Sequence, residues 1–397
     1  MENWQLAQGY RYAGVPCGIR PAEPERLDLA LVVSERPARA AGAFTQNRVC
    51  AAPVRVCRER LPAATTRGIV ICSGNANACT GTRGLDDARR MTALAGAAVG
   101  AAPHDFLVCS TGVIGRPLPM EKIEPGIARA AHELAEGAGA LERAARAILT
   151  TDTHIKVSTR ALQVAGREVR LTGFAKGAAM IGPNMATMLA FVLTDAPLRP
   201  EDLASLPAEA AASTFNCVSV EGHTSTNDTL LFLANGTGPE LQGEGLRAFR
   251  AAAVAVCGEL ARAIADDAEG ASHLVTVAVE GLRTDAEARA VAKAVADSPL
   301  VKTALFGADP NWGRIVSAAG YAGVDFEESQ LSLWLGEHCL YEHGTPLPFD
   351  AATVSAYMKA TRELPVRLVF TLGRGRCTFY TCDLTYEYVR LNADYTT

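Results

Sequence analysis

The stretch from Gly177 to Thr194 constrains this chain more than any other. It reads Gly-Ala-Ala-Met-Ile-Gly-Pro-Asn-Met-Ala-Thr and then Met-Leu-Ala-Phe-Val-Leu-Thr. The first part is a glycine-broken loop. Pro183 fixes its own φ, and Gly182 and Asn184 tolerate left-handed backbone. From Met188 to Leu193 runs an apolar segment of strand length, which predicts a buried strand. Thr187 stands at the seam between turn and strand. Its β-branched side chain has few χ1 choices, so a hydroxyl there is held rigidly.

That seam has two readings. In one, Thr187 attacks the carbonyl of Ala186 and cuts its own chain. Thr187 then owns a free α-amino group, with an unperturbed pKa of about 7.7–8.0. Such an amine acts as base for the hydroxyl on the same residue. The plainer reading is a turn, a core strand and a surface threonine.

Size and composition bound the rest. A chain of 397 residues exceeds what one simple core usually holds, so two domains or one large composite are expected. Hydrophobic residues make up 49% and charged residues 20%, the balance of a soluble globular enzyme. Lys and Arg number 38 against 43 Asp and Glu, a net charge of −5. With no long basic run, no nucleic-acid partner is expected. No apolar run approaches a membrane span, and the start, Met1-Glu2-Asn3-Trp4-Gln5, lacks the apolar core of a signal peptide. The 11 cysteines include no Cys-x-x-Cys pair, so reduced thiols in a cytoplasmic protein are expected. His and Cys are scattered without ligand spacing, and no metal or other cofactor is expected.

Taken in order, Leu27–Val33, Ala40–Phe44, Pro53–Val56 and Gly68–Cys72 read as strands. The last empties into residues 73–81, rich in Gly, Asn and Thr. That segment is either the rim of a site or an ordinary surface turn. Residues 86–99 read as a helix. Phe106–Cys109 is a strand ending in Ser110-Thr111-Gly112. Residues 121–136 and 141–148 are helical, and 162–171 form a hairpin around Ala165-Gly166-Arg167. After the core strand come a helix over 201–213 that Pro207 can break, strands over 215–220 and 230–233, and a long amphipathic helix over 246–264. Leu274–Val279 is a strand. From about Thr284 the pattern restarts, with a helix over 285–296, a strand over 300–306 and a turn at 309–314 that starts another helix. A strand over 331–335, a helix near 351–361, two further strands and a helix over 383–391 complete it.

Six ordered blocks resemble one family across nearly the whole chain. They are Lys176-Gly177 through Phe191, Ser110-Thr111-Gly112-Val113-Ile114-Gly115, Thr150-Thr151-Asp152-Thr153, Thr224-Ser225-Thr226-Asn227-Asp228-Thr229, Asp309-Pro310-Asn311-Trp312-Gly313-Arg314, and the tail Asn392 to Thr397. Together they resemble the ornithine acetyltransferases, also called bifunctional glutamate N-acetyltransferases. The resemblance implies an α/β fold of the α+β type. A layered α-β-β-α unit over 1–280 would hold the self-processing threonine. A smaller C-terminal α/β domain over 281–397 would return its tail to the site.

The resemblance also implies roles. Cleavage falls between Ala186 and Thr187, and Thr187 is the nucleophile. Thr111 and Gly112 form the oxyanion pair; by itself Ser-Thr-Gly is a common loop. Thr153, Lys176, Thr187, Glu269, Asn392 and Thr397 bind substrate. Lys176 would hold an α-carboxylate, where position alone leaves that and a charge on a loop rim equally open, and Glu269 would hold an amino group, where position alone makes it a solvated acidic helix end. Asp309–Arg314 is assigned to scaffolding. His223 stands where the family usually has aspartate, which alters the pocket if that acid touches substrate and nothing if it orders a turn.

The implied reaction is ping-pong acetyl transfer from N2-acetyl-L-ornithine to L-glutamate, in arginine biosynthesis. Acetyl-CoA is a possible co-substrate, and the implied assembly is a heterotetramer of two alpha and two beta fragments. Three rivals remain: an N-terminal-threonine amidohydrolase or aminopeptidase with water as acceptor, a hydrolase built on Cys109 or Cys79, and a phosphate-binding protein. The last lacks a Gly-x-Gly-x-x-Gly or P-loop spacing.

Overall fold

A computed structural model describes residues 4–20, 23–164, 166–182 and 188–394. The first sheet holds β1 (Tyr10–Val15), β2 (Leu29–Phe44), β3 (Ala63–Asn75), β4 (Phe106–Val113), β5 (Lys156–Val164), β6 (Arg167–Lys176), β7 (Leu189–Thr194) and β8 (Thr229–Ala234). Its order is β4-β3-β2-β8-β7-β6-β5, with β1 also paired to β2. Strand β2 joins two halves. Its first part pairs with β1 and β3, and Arg39–Phe44 pairs with β8. Register shifts around Ala38 and exposed Glu35, Arg36 and Pro37 mark the bend between them.

The sheet therefore folds over on itself. The Tyr10 hydroxyl on β1 donates to the carbonyl oxygens of Leu233 on β8 (2.9 Å) and Thr194 on β7 (3.2 Å). Leu31 and Ile71 from one half share a core with Phe191 and Leu231 from the other. Helices α1 (Ala52–Arg60), α2 (Gly81–Val99), α3 (Met120–His132) and α4 (Ala138–Ala147) pack on the first half. On the other, α5 (Pro200–Ser213) and α6 (Gly243–Asp266) enclose a second core that includes Val192, Phe232, Phe249 and Val256. This is the layered α-β-β-α arrangement.

Strand β7 shows why its sequence is apolar throughout. All six residues are buried. Leu189, Phe191 and Leu193 enter the core shared by the two halves, whereas Ala190 and Val192 enter the core under α5 and α6. A strand alternates its side chains between two faces, so only one buried on both sides reads as a continuous apolar run.

The second sheet has the order β12-β11-β10-β13-β9-β14. It comprises β9 (Leu274–Leu282), β10 (Leu331–Leu335), β11 (His338–Glu342), β12 (Thr345–Pro346), β13 (Glu363–Phe370) and β14 (Gly375–Cys382). With α7 (Asp285–Asp297), α8 (Pro299–Phe306), α9 (Trp312–Gly320) and α10 (Ala351–Ala360) it builds its own core around Val277, Val291, Leu333, Leu368 and Phe379. Among the described residues strand β9 pairs with β13 and β14, so the second sheet begins at Leu274. The last helix is α11 (Tyr386–Asp394). Among the described residues, no helix is long and apolar enough to cross a membrane.

Several local expectations are corrected. Pro53–Val56 lies in α1, where the proline occupies the first turn and its missing N–H leaves no bond unmade. Residues 300–306 form α8. Ser298 caps it by accepting the Val301 N–H, Pro299 opens it, and Val301, Lys302, Ala304 and Leu305 are buried at helical spacing. Phe215–Cys217 is a 3-10 turn, followed by a single bridge from Val218 to Tyr380. Pro207 sits inside one uninterrupted α5.

Candidate active site

A cavity of about 280 Å³ opens where the ends of β3, β4 and β6 meet the segment before β8, the residues after α6, and α11. Thr111 and Gly112 form one wall. They pair in parallel with Ser73 and Gly74 at the end of β3. That approach is so close that a Cβ on Gly112 would lie 2.3 Å from the Gly74 carbonyl carbon. The φ of Gly112 is also positive, at 132°. Only glycine meets both demands and keeps its N–H uncovered. Asn227 locks this wall to the segment before β8. Its amide donates to the carbonyl oxygens of Ala76 (2.6 Å) and Ser110 (2.8 Å). Gly74 and Ala76 line the cavity, so the rim reading of residues 73–81 describes their place.

Lys176, the last residue of β6, lines the opposite side and is buried. Its ammonium is 3.7 Å from Asp152 Oδ2. Behind it lies a charge cluster that the sequence reading missed. Lys156 Nζ donates to Asp152 Oδ1 (2.8 Å) and Asp267 Oδ2 (2.6 Å), all three side chains being almost fully enclosed. Asp152 also accepts the Gly177 N–H at 2.6 Å. Burial pushes the Asp152 carboxyl up, but Lys176 and Lys156 outweigh it and hold the group well below the usual carboxylate range. Burial pulls the Lys176 ammonium below the ordinary lysine range, with Asp152 opposing.

This cluster gives a stability prediction. Lys156→Met is expected to destabilise the fold by about 3–5 kcal/mol, because Asp152 and Asp267 lose their shared cation in an enclosed site. Urea unfolding of the variant beside the parent checks it. An unchanged midpoint would mean that the two carboxylates find other compensation.

Glu269 and Asn392 close the cavity. The Asn392 amide donates to Glu269 Oε2 at 3.1 Å, and the Glu269 N–H donates to the Ala178 carbonyl at 2.9 Å. Burial raises the Glu269 carboxyl, with the Asn392 bond opposing. Helix α11 is held there by the Thr385 hydroxyl, which donates to the Gly270 carbonyl at 2.6 Å. Tyr388 and Asn392 of α11 line the cavity.

Five of the sequence-predicted residues thus meet in one cavity: Thr111, Gly112, Lys176, Glu269 and Asn392. Thr153 is not among the lining residues. Its N–H and hydroxyl both donate to Asp267, while Thr150 and Thr151 face the cavity. Ala186, Thr187 and Thr397 lie outside the described residues. The segments flanking 183–187 are both anchored beside the cavity. The Ile181 carbonyl accepts the Val220 N–H at 2.8 Å, and the Met188 N–H donates to Asp228 Oδ1 at 3.2 Å. His223 lines the cavity.

The cysteine rivals fare differently. Cys79 is exposed and Cys109 buried, and neither lines the cavity. Burial, followed by Cys57, pushes the Cys109 thiol up, away from thiolate chemistry. Asn311 caps α9 by accepting the Arg314 N–H at 3.2 Å, and Trp312 stacks on Tyr341 at 5.3 Å, both structural contacts. Glu221, which lines the cavity, and Lys156 escaped the sequence reading because a charged residue in a loop or strand carries no local sign of what it faces.

Comparison with known proteins bears on the whole length. The protein from Rhodopirellula baltica named arginine biosynthesis bifunctional protein ArgJ is 44% identical over 397 residues, covering 99% of this chain and 96% of the relative. The protein of the same name from Geobacter sulfurreducens is 45% identical, covering 98% and 99%. A crystal structure described as ornithine acetyltransferase complexed with ornithine, from Mycobacterium tuberculosis, is 34% identical with a TM-score of 0.41, covering 46% of this chain and 94% of that one. The ArgJ family matches residues 11–397. With a match from the first strand to the last residue, and relatives this similar over nearly their full length, the chain belongs to the ArgJ family.

Proposed function

We propose that this chain moves the acetyl group of N2-acetyl-L-ornithine to L-glutamate, in arginine biosynthesis, through an acetyl ester on Thr187. Self-cleavage after Ala186 frees the threonine. Its α-amino group then takes the proton as its hydroxyl attacks the acetyl carbonyl. The Thr111 hydroxyl and the Gly112 N–H donate to the oxyanion. The tetrahedral intermediate collapses, the C–N bond breaks, and ornithine leaves with the proton on its amine. The amine of glutamate attacks the ester in turn, and N-acetyl-L-glutamate departs. Lys176 opposes the α-carboxylate of either substrate, and Glu269 an amino group. No cofactor takes part, acetyl-CoA is a possible second donor, and the working form is a cytoplasmic heterotetramer of two copies each of fragments 1–186 and 187–397.

The observation that carries this reading is the meeting of Thr111, Gly112, Lys176, Glu269 and Asn392 around one cavity, from positions far apart in the chain. The test is mass spectrometry of the purified protein after a pulse of acetylornithine. The expected result is two fragments, with the acetyl mass on the piece that begins at Thr187. An intact chain, or fragments that never gain the label, would overturn it. Label followed by release of free acetate, with no transfer to glutamate, would assign the water-accepting hydrolase instead.

A further inference from the structure

Two glutamates line the cavity, and they differ in one respect. Glu269 accepts a hydrogen bond from Asn392. Among the described residues, both carboxylate oxygens of Glu221 are buried with no side-chain hydrogen-bond partner, and the Ile181 backbone is the one group that stabilises the carboxylate form by hydrogen bonding. A buried carboxylate in that state is costly, and a group kept so is a candidate for a ligand it has yet to meet. Its backbone is fixed. The Ile181 carbonyl accepts the N–H groups of Val220 (2.8 Å) and Gly222 (3.1 Å), and a Cβ on Gly182 would lie 2.4 Å from the Gly222 carbonyl carbon.

The charged surroundings come from several elements. Glu269 follows α6, Asp297 ends α7, Lys302 lies in α8, and Cys382 and Tyr388 come from β14 and α11. His223 is on the same segment. Lys302 is the cation among them, yet its ammonium donates elsewhere, to the Thr381 hydroxyl at 2.8 Å and to the Cys382 carbonyl.

The inference rests on the acetyl-transfer reading above. The two amino acids in that reaction present the same α-carbon and the same transferred group. They therefore place their side chains in one subsite. Acetylornithine ends there in an ammonium, glutamate in a carboxylate. A wall of fixed charge would favour one and repel the other.

We propose that Glu221, beside Glu269, lets this one subsite take both: as a carboxylate it shares the side-chain ammonium of acetylornithine with Glu269, and as a carboxylic acid it donates to the side-chain carboxylate of glutamate. Binding of the first releases a proton from Glu221, and binding of the second takes one up from solvent. Burial favours such a dual state by pushing the Glu221 carboxyl up to about 7, with the Ile181 backbone and then Lys302 pulling it back and Glu269 and Asp297 adding to the rise. Both forms are then populated near neutral pH.

The test separates the two half-reactions on the processed enzyme. One is acetylation by acetylornithine, the other deacetylation of the acetyl-enzyme by glutamate, each followed by fragment mass. Glu221→Gln is fixed in the neutral, hydrogen-donating state. Its KM for acetylornithine is expected to rise about 10–100-fold, while its KM for glutamate holds or falls. In the parent, KM for acetylornithine should fall as pH rises through about 7, and KM for glutamate should rise. In the variant both trends should flatten. Equal losses in both halves, or parallel pH profiles in the parent, would overturn the role of Glu221 and leave the acetyl-transfer reading standing. A parent that takes no acetyl label at all would overturn that reading, and this inference with it.

Discussion

Thr187→Ala is expected to remain one uncut 397-residue chain and to transfer no acetyl group. Two losses coincide. Without a hydroxyl at 187 nothing attacks the Ala186 carbonyl, so the chain is not cut and residue 187 keeps an amide in place of a basic amine. Even a chain cut by other means would lack the atom that carries the acetyl group. For nucleophiles of this kind, removal costs a factor on the order of 10⁶ in turnover. A denaturing gel and a transfer assay on one preparation read both losses. Thr187→Ser should keep cleavage and a reduced rate, because it retains the hydroxyl and gives up only the β-branch that restricts χ1. An uncut Thr187→Ala chain with normal turnover would place the nucleophile elsewhere.

Gly112→Ala is expected to lower kcat by about 10²–10³-fold, the loss typical of one missing oxyanion donor. The reason is steric. The added carbon would lie 2.3 Å from the Gly74 carbonyl carbon and 2.6 Å from the Asn75 nitrogen, at a φ of +132° that side chains rarely adopt. To relieve that contact the ends of β3 and β4 must separate, and the N–H at 112 moves with them. Thr111→Val is the shape-conserving companion. It removes a hydroxyl and no volume, and should lower kcat while leaving KM nearly unchanged. If both variants keep full kcat, the oxyanion is stabilised by other groups.

How far the sequence reaches is clearest at particular elements. The hairpin over 162–171 forms with Val164 opposite Arg167, as its alternation predicts. The long helix α6 and the buried β7 also follow from periodicity alone. The same reasoning fails at 300–306, where seven residues of mixed apolar character suit a strand or a helix, and the Ser298 cap decides for the helix. It fails again at Pro53, where a proline in the first turn of α1 resembles one at a strand edge.

What the sequence by itself determined is local: where the backbone alternates, where it winds, and which short blocks it shares with a family. Those features depend on neighbours a few residues apart, and the chain carries them in plain order. The tertiary structure alone decided which charges meet. Lys156 reaches Asp267 across 111 residues, and Lys176 comes up to Asp152, only because β5, β6 and the end of α6 close on one another. Among the described residues no cation is bonded to Glu221, since Lys302 turns to Thr381 and Cys382. A charge in a sequence has no environment until burial removes its water and distant segments supply, or withhold, its counterpart.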